Sequence, residues 1–104
     1  MSHCNMPTEP DYTKLEQVFL PADNAINDYL AAMKVADKIA TEKLEDFMQL
    51  SWYDRDRDFE SPQHSSECHS HSAIPGYVDY ALYRDADLRV VFEEGRFVFF
   101  YLKI

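Results

Sequence analysis

Residues 76–104 read GYVDYALYRDADLRVVFEEGRFVFFYLKI, and this stretch decides the fold. Two segments in it alternate apolar and polar side chains with a period of two residues, which is typical of half-buried strands. The apolar face consists of Val78, Tyr80 and Leu82 in the first segment and of Leu88, Val90 and Phe92 in the second. Asp85-Ala86-Asp87 separates the two segments as a turn. An antiparallel arrangement follows.

The last segment of this stretch differs because it is apolar on both faces. Glu93-Glu94-Gly95-Arg96 predicts a tight hairpin turn in which Gly95 takes a positive φ. Phe97–Ile104 follows it and is apolar from Phe97 to Leu102. A strand of this kind is covered on both faces, so we predict that it is the central strand of the sheet.

Upstream of the sheet, apolar residues recur at helical spacing. Residues 1–8 show no periodicity and are predicted to be a flexible tail, after which Thr8-Glu9-Pro10-Asp11 is typical of a helix start. The apolar residues of this first helix are Tyr12, Leu15, Val18 and Phe19. Pro21 ends it, Asp23 caps the next one, and no Gly or Pro interrupts residues 23–50. The pattern therefore predicts a second, long helix.

Charged and aromatic residues, among them Trp52 and Phe59, alternate between Leu50 and Glu60, which indicates an edge strand. Continuation of the preceding helix is the alternative interpretation. On a strand, Asp54, Asp56 and Asp58 share one face and form an acidic stripe. The stripe either docks a partner rich in Arg and Lys or pairs internally. The candidates for internal pairing are Arg84, Arg89 and Arg96.

The elements together predict an α+β fold with one domain over residues 9–104. Two N-terminal helices, one of them long, pack on a three- to four-stranded antiparallel C-terminal sheet. A loop rich in Ser and His spans residues 61–75. Helices followed by a meander resemble several small α+β folds, cystatin-like ones among them, and this resemblance concerns the fold alone.

The charge of the chain limits its partners. The 104 residues carry a formal net charge of −9, from 19 acidic and 10 basic residues. This balance disfavours nucleic acid and favours a basic protein partner. No apolar run is long enough to span a membrane, the first residues lack a signal-peptide pattern, and the two cysteines make no disulfide framework. We expect a cytoplasmic location.

The Ser/His loop holds the residues that most resemble a metal site: His64, Cys68, His69 and His71. Their side chains are zinc-type ligands, and His3 or Cys4 could complete the set. The four residues lie in one short segment, whereas structural zinc sites draw on two, so a solvated loop is the competing interpretation. We predict no cofactor. Cys68 beside His69 and His71 is the only candidate nucleophile with a base near it.

The many aromatic residues of the second half exceed what one helix can cover. Tyr80, Phe99 and Tyr101 are therefore candidate partner-binding residues on the second face of the sheet, where a homodimer seam would form. Two alternatives stay open: tyrosines that are half exposed without a partner, and a small-molecule cavity lined by Tyr and Phe. The leading hypothesis is a noncatalytic interaction protein, immunity- or antitoxin-like, that binds a basic partner through Asp54, Asp56 and Asp58. A small-molecule-binding domain and a metal-binding protein are the alternatives.

Overall fold

The computed structural model describes residues 12–61 and 76–104. Its elements in chain order are β1 (Glu16–Leu20), α1 (Tyr29–Leu44), β2 (Phe47–Asp54), β3 (Phe59–Ser61), α2 (Gly76–Tyr83), β4 (Leu88–Phe92) and β5 (Phe97–Lys103). The five strands form one mixed sheet in the order β1-β4-β5-β2-β3, in which only β1 runs parallel to its neighbour. The predicted antiparallel sheet with two N-terminal helices is therefore wrong.

Each face of the sheet is covered by one helix. Residues at even positions of β4 and odd positions of β5 pack with α1, and they include Leu88, Val90, Phe92, Phe97, Phe99 and Tyr101. The intervening residues pack with α2 on the opposite face, and they include Val91, Val98 and Phe100. This alternation is the period of a strand that is buried on both sides.

The β4–β5 hairpin agrees with the sequence pattern. Phe92 pairs with Phe97, and β5 lies between β4 and β2, so the prediction of a central last strand is confirmed. The turn takes positive φ at Glu93, Glu94 and Gly95, with 117° at the glycine. Glycine adopts this φ without the backbone strain that a residue with a side chain would have, although the space around Gly95 is open.

The first predicted helix is a strand. Residues Glu16–Leu20 form β1, whose Val18 pairs in register with Val90 of β4. Both ends of β1 are hydrogen-bonded to residues that flank β4. The amide of Glu16 donates to the carbonyl of Asp87, and the amide of Glu93 donates to the carbonyl of Leu20. Pairing with β1 satisfies backbone groups along the outer edge of β4, and a helix at this place would leave them without partners.

Helix α1 is shorter than the helix predicted over residues 23–50. Asp28 caps it by accepting a hydrogen bond of 2.9 Å from the amide of Ala31, whereas Asp23 caps the preceding turn. The buried face repeats every four residues, at Ala32, Ala36, Ala40 and Leu44. The helix ends at Glu45, which takes a φ of 69°, and β2 begins two residues later. Small side chains on the buried face let the helix approach a sheet face that carries large aromatic residues.

Helix α2 replaces the strand that was predicted from Tyr77 onward. Tyr77, Val78 and Ala81 are buried, and this spacing follows a helix and not a strand. Two hydrogen bonds of 2.7 Å attach its first turn to the sheet: the amide of Tyr77 donates to Glu60 Oε1, and Ser51 Oγ donates to the carbonyl of Tyr77.

The single strand predicted between Leu50 and Glu60 is two strands, β2 and β3, that are joined by a turn at residues 55–58. The predicted tail, residues 1–8, lies outside the described residues. Within residues 12–61 and 76–104, neither helix has the length and apolar character needed to cross a membrane.

Candidate functional site

Three loops meet at one end of the sheet, which we call the turn end. They are the segment 21–28 before α1, the turn 55–58 between β2 and β3, and the turn 93–96 between β4 and β5. Arg96 joins them, because its guanidinium donates to Asp56 at 2.7 Å, to Glu93 at 2.7 Å and to the carbonyl of Asn27 at 3.2 Å. The amide of Arg55 also donates to the carbonyl of Arg96 at 2.8 Å. The turn end is thus held in place by its own contacts.

Carboxylates outnumber cations at the turn end. The carboxylates belong to Asp23, Asp28, Asp54, Asp56, Asp58, Glu93 and Glu94, and the cations to Arg55, Arg57 and Arg96. Arg96 holds the pKa of Asp56 below its usual range, chiefly through their hydrogen bonds, and the same bonds raise the pKa of Arg96. Asp58 and Glu94 are exposed. The turn end therefore presents a net negative surface to solvent.

An aromatic row lies beside the β2–β3 turn, and it consists of Tyr29, Trp52 and Phe59. Tyr29, the first residue of α1, stacks on Trp52 of β2 with ring centroids 4.8 Å apart and an angle of 9°. Phe59, the first residue of β3, lies 5.5 Å from Trp52. Phe59 is 38% exposed, and the other two rings are half-buried. The three rings of the aromatic row are thus in contact with one another and partly accessible to solvent.

The guanidinium of Arg57 packs against the aromatic row. Its central carbon is 4.4 Å from the ring centroid of Tyr29, 5.6 Å from that of Phe59 and 5.9 Å from that of Trp52. Cations within about 6 Å of an aromatic centroid are attracted by the ring. Arg57 Nε also donates to Asp54 Oδ2 at 2.7 Å, and this hydrogen bond is the main reason why the pKa of Arg57 is raised.

Asp54 is a buried acid in this site. It is only 2% exposed, and its other oxygen, Oδ1, accepts a hydrogen bond of 3.0 Å from the amide of Asp56. The Asp54 carboxylate thus orders the turn and binds a guanidinium at the same time. Arg57 itself is 52% exposed in its side chain.

The three aspartates of the predicted acidic stripe do not share one strand face, because they follow a turn. Asp54 is buried against Arg57, Asp56 pairs with Arg96, and Asp58 accepts a hydrogen bond of 3.0 Å from Tyr53 Oη. Burial, followed by this bond, raises the pKa of Tyr53. Of the predicted internal partners, Arg96 is confirmed.

The aromatic residues predicted to bind a partner lie elsewhere. Phe99 and Tyr101 are fully buried beneath α1, and Tyr101 Oη donates to Asp37 Oδ1 at 2.7 Å. Tyr80 is a half-buried residue of α2 whose ring lies 3.6 Å from the guanidinium carbon of Arg84. Since α2 covers the second face, these residues form no common surface.

The sequence analysis missed a second arginine–aromatic cluster, on the α2 face near β1. The guanidinium carbon of Arg89 lies 4.2 Å from the ring centroid of Tyr12, and its Nη1 donates to Gln17 Oε1 at 2.6 Å. Arg89 Nε is buried without a hydrogen-bond partner. Burial also raises the pKa of both Tyr12 and Tyr77 near this cluster. The sequence did contain a signal for this cluster. Arg89 lies between Leu88 and Val90, so the alternation of a strand places its side chain on the opposite face of β4, which α2 covers.

The predicted metal ligands His64, Cys68, His69 and His71 lie outside the described residues, as do His3 and Cys4. In the described part of the chain, no group of three His, Cys, Asp or Glu residues is arranged to hold a metal ion. A groove of about 210 Å³ lies between the end of β1 and α1, lined by aliphatic residues such as Leu20, Ile26 and Val35. It is open and aliphatic, whereas the predicted small-molecule cavity is lined by Tyr and Phe.

Comparison with known proteins extends these observations. Residues 15–101 match the model of a family that is described as Domain of unknown function (DUF5619). The fold is similar to the crystal structure of protein AF1514 from Archeoglobus fulgidus DSM 4304, with a TM-score of 0.68 and 19% sequence identity. The similarity covers 86% of this chain and 95% of that chain, and at this identity it shows the fold alone. No curated protein matches the chain.

Proposed function

The chain belongs to the DUF5619 family, a domain of unknown function, and we propose that it is a noncatalytic interaction protein that binds a basic partner at the turn end. One observation carries the proposal: carboxylates of three loops are concentrated at one end of a protein whose formal net charge is −9. Complementary charge steers association and sets its specificity.

The rigidity of the turn end supports the proposal. Arg96 links all three loops, and Tyr53 holds Asp58 from the sheet, so the carboxylates keep their positions before a partner arrives. A preorganised surface loses less conformational freedom on binding than a flexible one. Small acidic inhibitors of basic proteins, such as immunity proteins and antitoxins, are the class of protein that this surface suits.

The test compares two pairs of exposed carboxylates. Asp58→Asn with Glu94→Gln removes two charges from the turn end, and Asp85→Asn with Glu45→Gln removes two from the opposite end. All four residues are exposed and have positive φ, so the two double variants are matched in charge and in backbone conformation. The probe is a short arginine homopeptide, with binding measured by calorimetry at several salt concentrations.

We expect the turn-end variant to bind the peptide about two- to thirtyfold more weakly, because each of the two exposed charges contributes about 0.2–1 kcal/mol. Its affinity should also depend less on salt. The opposite-end variant should stay close to the wild type. An equal effect of the two variants would contradict the proposal, because the overall charge would then explain the binding.

The proposal includes a cytoplasmic location and a homodimer. Phe19 of β1 is 63% exposed, and β1 is an edge of the sheet, which supports contact between copies. Light scattering tests the dimer: we expect a dimeric mass for the wild type and a monomeric mass for Phe19→Ser. A monomeric wild type would remove this part of the proposal without affecting the charge test.

A further inference from the structure

We infer that the aromatic row and the Asp54 carboxylate form a guanidinium-binding site, which Arg57 fills in the free protein and which an arginine side chain of the partner enters in the complex. This inference rests on the proposed function and names the side chain that is recognised. In the structure, the site is occupied by the guanidinium of Arg57, which contacts three aromatic rings and one buried carboxylate.

The chemistry of the site selects arginine over lysine. A guanidinium is planar and weakly hydrated, so it lies flat against aromatic rings while its N–H groups reach a carboxylate. Tyr29 contributes the nearest ring face, at 4.4 Å, and Asp54 accepts from Nε at 2.7 Å. A lysine ammonium is compact and strongly hydrated, and it satisfies these two requirements less well.

Because Asp54 is buried, its carboxylate requires a positively charged partner. The side chain is 3% exposed, and a buried carboxylate without a charge partner is costly. If Arg57 leaves, another guanidinium has to replace it. Exchange of one arginine for another keeps this ion pair, so replacement costs far less than simple removal.

Arg57 can leave without unfolding the turn, because the turn is held by other contacts. Asp56 binds Arg96, the amide of Arg55 donates to the carbonyl of Arg96, and Asp58 is held by Tyr53. The amide of Asp56 continues to cap Asp54 Oδ1. The Arg57 side chain is the one basic group of this turn that contacts the aromatic row, and half of it is exposed to solvent.

The experiment uses a matched pair of variants. Arg57→Ala and Arg55→Ala each remove one positive charge from the same turn, but only the first empties the site. Trp52 is the single tryptophan of the chain and lies in the aromatic row, so its fluorescence reports on the site alone. The probes are ethylguanidinium, ethylammonium and the arginine homopeptide, and circular dichroism verifies that each variant is folded.

In Arg57→Ala, we expect ethylguanidinium to change the Trp52 fluorescence at concentrations at least about fivefold lower than in the wild type or in Arg55→Ala. The reason is that the Arg57 side chain competes for the site in these two proteins and lowers the apparent affinity for an added guanidinium. Ethylammonium should have little effect. The arginine homopeptide should bind Arg57→Ala at least about fivefold more tightly than Arg55→Ala, by the same argument. If Arg57→Ala does not fold, Arg57→Lys serves as the second variant, and its response to ethylguanidinium should lie between the two.

The outcomes separate the inference from the proposed function. Equal responses of the Arg57 and Arg55 variants overturn the inference, while the charge comparison at the turn end decides the proposed function independently. If the turn-end and opposite-end variants bind the peptide equally, the proposed function fails, even where Trp52 of Arg57→Ala still responds to ethylguanidinium.

Discussion

Replacement of Phe99 by leucine tests whether this residue belongs to the core or to a surface. Phe99 lies in β5, pairs with Val90 and Trp52 on the flanking strands, and is 0% exposed. Its ring also meets that of Phe92 at a centroid distance of 6.0 Å and an angle of 85°. Leucine removes about three carbon atoms, which at roughly 0.8 kcal/mol for each buried methylene is about 2 kcal/mol. The loss of the aromatic contact adds about 0.5–1.5 kcal/mol.

The free energy of unfolding should therefore fall by about 2.5–3.5 kcal/mol in Phe99→Leu. For a domain of this size, each kcal/mol lowers Tm by roughly 4–8 °C, so we expect a decrease of roughly 10–28 °C. Urea unfolding followed by circular dichroism and thermal unfolding measure the two quantities. Leucine is preferred to alanine because a loss of about 3–5 kcal/mol would leave little folded protein.

Tyr83→Leu is the control, since Tyr83, the last residue of α2, is 85% exposed. Its cost should stay within about 0.5 kcal/mol, as for most surface substitutions. If Phe99→Leu matched this small cost, Phe99 would not be enclosed by α1, and the assignment of the two sheet faces would be refuted.

Three further predictions concern polar contacts of single side chains. Tyr101→Phe removes the part-buried hydrogen bond to Asp37 and should cost about 1 kcal/mol in urea unfolding. An unchanged free energy of unfolding would show that water replaces the tyrosine as donor to Asp37 without loss. Asp28→Ala should cost about 1 kcal/mol by removing the N-cap of α1, and Asp28→Asn should restore most of it, whereas equal losses would argue against a cap. Because Arg96 lowers the pKa of Asp56 below its ordinary value of 3.8, the charged carboxylate stabilises the fold above that pH and loses this effect as the pH falls through the lowered value. The Tm of Asp56→Asn should thus lie below that of the wild type at neutral pH, and the difference should shrink as the pH falls through the lowered pKa of Asp56. A constant difference would contradict the ion pair.

The sequence alone predicted the secondary structure correctly where the hydrophobic pattern kept one period over a long enough segment. The alternation from Leu88 to Phe92, the glycine of the following turn and the apolar run from Phe97 predict a hairpin with a central strand, and the structure has both. The candidate site was predicted in part. Asp54 was selected for its charge, and Trp52 and Phe59 were noted as aromatic residues of the same segment.

The rest of the site depends on residues that are distant in sequence. Tyr29 comes from the start of α1, and no local signal indicates that it stacks on Trp52. The role of Arg57 was missed because Leu50–Glu60 was interpreted as one strand. A signal was present: an aspartate that accepts from the amide two residues later, as Asp54 does from Asp56, is typical of a turn.

The sequence by itself determined where apolar residues lie and which chain segments carry negative charge. It did not determine the state of short segments whose patterns fit two periods. Gly76–Tyr83 is too short to distinguish a helix from a strand, and Glu16–Leu20 has helical spacing but forms a strand. Tertiary structure decided both cases. The outer edge of β4 required a backbone partner, which β1 supplies, and the second face of β5 required a cover, which α2 supplies.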